Sequence, residues 1–235
     1  MDTLPKLAEH LKQQRMDPAC KVSAIGCATS DRDEWNQARE NEAGVLNRFQ
    51  SSCEGTAEIQ AYEVPIPEGR PEGYFNDLMG FSAVDVFAEL PWQRADADVI
   101  AAAAESDWLA LKIRSHGIPS CTDLAELLWG CVSLEVPLKW SGGPVTAFET
   151  GRGPGIINLL TAAVLAYSQD LPATELAAVL GCSDPLQFSF SAEALAWNQY
   201  SAGLEDIEAA RQILTRLDAE SLSELSRGLA ILDAS

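Results

Sequence analysis

Apolar positions in this chain recur in two rhythms, every second residue and every third or fourth, and the two alternate along it. KVSAIGCA (21–28) predicts a strand. Residues 31–51 predict a helix, capped by Ser30 or Asp31, with Trp35, Ala38, Leu46 and Phe49 as its apolar stripe. AEIQAYEVP (57–65) predicts a strand stopped by proline. A Gly/Pro-rich loop at 67–73 leads to a short segment around Leu78. SAVDVFAELP (82–91) is the next strand, DADVIAAAAES a short helix, and DWLALKIR (107–114) another strand. TDLAELLWGCVSL (122–134) predicts a helix with Thr122 as its cap, and VPLKWS (136–141) a fifth strand.

Strand ends at Tyr62, Glu89, Lys112 and Lys139 fall 27, 23 and 27 residues apart. That spacing suits repeated β/α units and a parallel sheet with helices outside it. The fold class expected is therefore α/β and barrel-like. It is expected to be incomplete, because five strands fall short of eight. From about residue 156 the pattern turns mainly helical. INLLTAAVLAYSQ, TELAAVLG, LEDIEAARQILTRL and SLSELSRGLAIL read as helices, and DPLQFSFSAEALAWNQYS holds segments that suit a small hairpin. The division expected is a barrel-like part over 1–155 and a mainly helical part over 156–235 packed on it as one globular unit.

Alternation assigns faces. In 107–114, Leu109, Leu111 and Ile113 turn toward the helices, and Trp108, Ala110, Lys112 and Arg114 turn the other way. The same reading puts Lys139 and Ser141, Asp85 and Glu89, and Gln60 and Tyr62 on the non-helix face, with Glu63 on the helix side. Strand carboxyl ends are where barrels and open α/β sheets hold ligands. An enclosed Glu/Lys set has either mutual partners or a ligand, because buried charge is costly alone. Both readings stand at this point: a structural ion-pair cluster, or a site. In a site, Glu89, Lys112 and Lys139 are the candidate catalytic groups, with Glu89 as general acid/base. The lysines would act by holding a carboxylate or phosphate, or as a Schiff-base amine. Tyr62, Arg114, Ser141, Arg152, Gly153, Gly155 and Asn158 are the candidate substrate-binding residues. The turn GRGPG (151–155) precedes a helix whose first N–H groups suit an anion.

Composition narrows this further. The 235 residues carry 35 acids and 16 bases, a net charge of -19, which argues against nucleic acid as a partner. No apolar run is long enough to predict a membrane span, and the amphipathic start MDTLPKLAEHLKQQR has no secretory core, so a cytoplasmic protein is expected. Six cysteines without C-x-x-C spacing predict reduced, mostly buried thiols. His10 and His116 lie far apart, so no structural metal is expected, and no cofactor is expected either. Too few strands to close a barrel predict a homo-oligomer.

At WLALKIRSHG, VPLKWSGG and GIINLLTAAVLA the chain resembles a family of bacterial proteins with a lysine-ended strand, a VPxKATAG-type strand followed by two histidines, and a GFLNLL helix start. The resemblance covers roughly 80–217, including DPLQFSF and Trp197, and Lys112, Lys139, Gly155 and Asn158 match its pattern. It implies a barrel-like α/β fold and no particular activity. Pro144 and Val145 stand where the paired histidines would be, and TRLDAESLSEL replaces a serine- and cysteine-bearing segment. SGG also resembles the phosphate turn of quinolinate-type phosphoribosyltransferase barrels. Two function classes follow: a barrel protein, enzyme or former enzyme, that binds a small anionic metabolite, and a non-catalytic member that acts through self-association.

Overall fold

The computed structural model describes residues 20–114, 119–142, 146–151 and 153–217. The amphipathic start at 1–15 and the expected helix at 221–232 therefore lie outside the described residues. So do His10, His116, Pro144, Val145 and Arg152.

Six strands form one sheet in the order β1-β2-β3-β4-β5-β9: Cys20–Ile25, Ala57–Pro65, Asp85–Pro91, Leu109–Arg114, Leu138–Ser141 and Leu214–Leu217. The fold is α/β, a parallel sheet of the incomplete-barrel kind with added helices and a small antiparallel sheet. The sixth strand corrects the sequence reading. LEDIEAARQILTRL is not one helix: Leu204–Ala210 is helical (α7), and Leu214–Leu217 pairs with β5 as β9. Ile213, Leu214 and Thr215 are a β-favouring run. The partner strand β5 decides the outcome over a four-residue stretch that suits either period.

Contacts divide the described residues into two compact units, 20–89 with 106–110, and 90–105 with the described residues from 111 onward. In the first unit, β1 pairs with β2 and β2 with β3, both parallel. Helix α1 (Arg32–Ser52) starts where Asp31 accepts hydrogen bonds from the N–H groups of Asp33 at 3.0 Å and Glu34 at 2.9 Å. Its buried stripe is Trp35, Arg39, Glu42 and Phe49, so two ionisable side chains stand where Ala38 and Leu46 were expected. A short helix, α2 (Glu72–Phe75), and a 3-10 turn through Phe81 lead into β3.

In the second unit, β4 pairs with β5 and β5 with β9, all parallel. Helix α3 spans Ala97–Ala104 and α4 spans Cys121–Ser133. The cap of α4 is Ser120, not Thr122: its hydroxyl accepts from the Asp123 N–H at 3.1 Å, while the Asp123 carboxylate accepts from the Ser120 N–H at 3.2 Å. That reciprocal pair satisfies two orphan donors at once, which a Thr122 cap would leave exposed. Helices α5 (Ile156–Gln169) and α6 (Ala173–Leu180) pack on α4 and on each other. The expected hairpin is a three-stranded antiparallel sheet of β6 (Phe188–Phe190), β7 (Ala194–Trp197) and β8 (Tyr200–Gly203).

Candidate functional site

Strand register places the cationic side chains of the second unit. Lys112 of β4 aligns with Lys139 of β5, and Arg114 with Ser141. Lys139 aligns in turn with Arg216 of β9. Aligned residues of neighbouring parallel strands share a face, about 4.8 Å apart. Lys112 and Lys139 thus share a face, and Arg114 follows Lys112 on it by alternation, while Arg216 stands beside Lys139 across a shift of register between Leu138 and Lys139. The other face carries Leu111, Ile113, Leu138 and Trp140, all buried. Lys112 and Lys139 are themselves only 5% and 7% exposed. Each of the four cations, like Ser141, also takes part in an interaction within the chain. The row lies at the carboxyl-terminal ends of its strands, since β4 ends at Arg114 and β5 at Ser141.

Arg216 was not predicted. Its segment reads as the end of an amphipathic helix, and only the β-branched character of the preceding residues hints at a strand.

Two expected binding groups are otherwise occupied. Asn158 is 0% exposed, and its Oδ1 accepts from the N–H of Gly155 at 3.0 Å and of Glu149 at 2.9 Å. Its Nδ2 donates to the carbonyls of Val179 and Cys182, both at 2.8 Å. That exhausts the two donors and the usual acceptor capacity of an amide. Asn158 therefore ties the 146–151 loop and the start of α5 to the end of α6, and has nothing left for a ligand. The start of α5 is closed as well. The N–H groups of Ile156 and Ile157 donate to the carbonyls of Thr146 at 3.0 Å and Ala147 at 2.9 Å. Those are the groups an anion would need. Gly155 makes this contact possible: a Cβ there would lie 2.2 Å from the Ala147 carbonyl oxygen. Gly153, half-buried with φ +112°, belongs to the same turn and needs glycine for its left-handed backbone.

Glu89 and Tyr62 belong to the first unit. Glu89 lies two residues before the end of β3 and is buried at 4% exposure, and its backbone carbonyl accepts from the Ile66 N–H at 2.9 Å. Tyr62 does not share its face. Register aligns Tyr62 with Val86, Glu63 with Phe87, and Pro65 with Glu89. Glu63 is therefore on the Glu89 side and Tyr62 on the other, the reverse of the expected assignment. The residues of β2 from Ala61 to Val64 are all buried, so polarity no longer marks a face.

What Tyr62 meets is helix α1. Its hydroxyl donates to Glu42 Oε2, which also pairs with Arg39 Nη2 at 2.9 Å. Glu42 Oε1 accepts from the Cys27 N–H at 2.6 Å, and Arg39 Nη2 donates to the Cys27 carbonyl at 3.0 Å. The Arg39 guanidinium lies over the Trp35 ring at 4.3 Å, and the Tyr62 ring stacks on Phe81 at 4.4 Å. On the other face, the Ser23 hydroxyl donates to Glu63. Burial, and then the hydrogen bond to Glu42, push the Tyr62 phenol well above its ordinary range. Partial burial and the Glu42 carboxylate also push the Cys27 thiol up, so it is not held as a reactive thiolate. This network bonds α1 to the ends of β1 and β2. Gly26 leaves room for it, since a Cβ there would lie 2.8 Å from the Tyr62 hydroxyl. In sequence, Arg39 and Glu42 read as an ordinary exposed i,i+3 pair.

No known protein-family model, curated protein or solved structure matches this chain. Among the described residues, no helix is long and apolar enough to cross a membrane, and no three His, Cys, Asp or Glu side chains are grouped to hold a metal ion.

Proposed function

We propose that this chain binds a small anionic metabolite, a carboxylate or phosphate compound, on the face shared by Lys112, Arg114, Lys139 and Ser141, with Arg216 beside Lys139. The observation that carries the reading is the register: Lys112 beside Lys139, and Lys139 beside Arg216, on three neighbouring strands. Like charges in a row repel, and burial weakens the water that would screen them. A ligand bearing two negative charges would add opposite charge there, beside the interactions these cations already make within the chain. Guanidinium groups grip carboxylate and phosphate oxygens in pairs, and ammonium groups add point charge. The place suits the role, because strand carboxyl ends are the ligand end of barrels and open α/β sheets. Lys112 and Lys139 also carry the resemblance to the bacterial family, so membership of it is part of the same proposal.

Calorimetric titration with inorganic phosphate and with malonate tests it. Saturable binding to the native chain, lost in Lys139→Met, is the expected result. Heats no larger than those of dilution for both anions would remove the proposal.

A second reading has its own observation. Among the described residues, β1 and β9 each have a sheet neighbour on one side only. An open parallel edge offers unpaired backbone groups to a second copy, which favours a non-catalytic protein that works by self-association.

A further inference from the structure

Within the second unit, a cleft of about 550 Å³ opens between the 92–97 segment, α3 and α4. It shares no residue with the cation row. Its apolar wall is Trp92, Ile100, Leu127 and Trp129. Ile100 reaches this wall because Gly130 has no side chain: a Cβ there would lie 3.1 Å from Ile100 Cδ1. Trp129 is 43% exposed although it sits on a helix whose other large apolar residues, Leu124, Leu127 and Leu128, are buried. One exposed tryptophan is ordinary on a protein surface. A second indole in the same cleft, and the charges around it, are what set this one apart.

The acidic lining residues are Asp96, Asp123 and Glu126, and no Lys, Arg or His is among the described lining residues. Asp96 caps α3 by accepting from the Val99 N–H at 3.0 Å, and Asp123 serves the α4 cap. Both carboxylates would stand there for folding reasons alone. Glu126 has no capping role and is exposed. It sits on the same stripe of α4 as Trp129, Gly130 and Ser133, three, four and seven residues away, which is helical spacing for one face.

We infer that this cleft is a binding site for a small organic cation, an ammonium group on an apolar body. Indole faces attract cations through their negative quadrupole, most strongly where water is thinned. Carboxylates supply the opposite charge, and the apolar wall takes the body of the ligand. The volume lies in the ordinary range for small-molecule sites, roughly 300–1,000 Å³. Charge also decides against a second copy as the occupant, since a chain of net charge -19 brings the wrong sign to an acidic cleft.

The test is titration of the full chain with (3-hydroxyphenyl)trimethylammonium and with its neutral isostere, 3-tert-butylphenol. The cation should bind saturably, and the isostere about tenfold more weakly or worse. Glu126→Gln should weaken the cation several-fold and Trp129→Leu about tenfold, with the fold kept by circular dichroism because both side chains are exposed. Any of three results would overturn the inference: no saturable binding of the cation, equal affinity for the isostere, or unchanged affinity in both variants. So would a concentration-dependent dimer that Trp129→Leu dissolves, because the cleft would then be an interface between copies.

Discussion

Burial and the Glu42 carboxylate hold the Tyr62 phenol in its neutral form. A group whose folded pKa is raised contributes stability that is fully present below its unfolded value, here 10.0, and lost as pH rises toward the folded value. Tyr62→Phe removes one donor from a buried carboxylate that keeps Arg39 and the Cys27 N–H. Urea denaturation at pH 7 should show a loss of about 1–3 kcal/mol. The native chain should then lose stability above pH 10 more steeply than the variant does. Equal stability of the two at pH 7 would show that the hydroxyl contributes nothing to the network. At this scale the sequence was informative only in part. Lys112, Lys139, Arg114 and Ser141 were assigned to one face from alternation in strands with one clear apolar side, and the register places them together. Tyr62 and Glu63 were assigned to the wrong faces, because β2 is buried on both sides where they lie. Asn158 was legible as a residue of the helix start but not in its role. Its partners at Val179 and Cys182 come from twenty-one and twenty-four residues away.

Elements were more legible than contacts. Strand β2 runs over Ala57–Pro65 and α5 over Ile156–Gln169, close to where proline, glycine and apolar period place their ends. Caps are local chemistry and still ambiguous, as α4 shows, since Pro119, Ser120, Cys121 and Thr122 hold two hydroxyl candidates. The chosen one, Ser120, lets Asp123 return a bond to the backbone, which Thr122 could not arrange with that aspartate. Ser120→Ala should therefore cost about 1 kcal/mol, and Thr122→Ala much less, by chemical denaturation of each variant. The reverse order would place the cap back at Thr122. Strand β9 was the element missed. At four residues it is too short for periodicity to distinguish from a helix end, and its pairing with β5 is a long-range choice. That choice sets Arg216 beside Lys139, so a wrong reading of one short element hid a candidate binding residue.

For the molecule as a whole, the charge balance and the cation row pull in different directions. A chain with 35 acids and 16 bases repels anions at long range. The proposed anion site would have to act against that field through the local charge of Lys112, Arg114 and Lys139. Among the described residues β1 and β9 each have one sheet neighbour, and the expectation of an oligomer rests on those two edges. Native mass spectrometry of the purified chain should give a multiple of 25.3 kDa. A mass of one chain at micromolar concentration would count against self-association. In the second unit, burial of Cys131 pushes its thiol up to about 12, so this cysteine should stay unmodified by iodoacetamide in the native protein at neutral pH.

The most direct test of the cation row is thermal unfolding with and without phosphate, at constant ionic strength, for the native chain and for Lys112→Met, Lys139→Met and Arg216→Met. A ligand held only by the folded state raises stability by about 2.7 kcal/mol at a hundred times its dissociation constant. Methionine keeps the apolar stem of each side chain and removes its charge. The native chain should melt at a higher temperature in phosphate, and each variant should lose most of that rise while keeping a cooperative transition. If the cations are instead structural partners of buried carboxylates, the lysine variants should lose about 3–5 kcal/mol of stability, with no phosphate response in the native chain to lose. That second pattern would contradict the anion site.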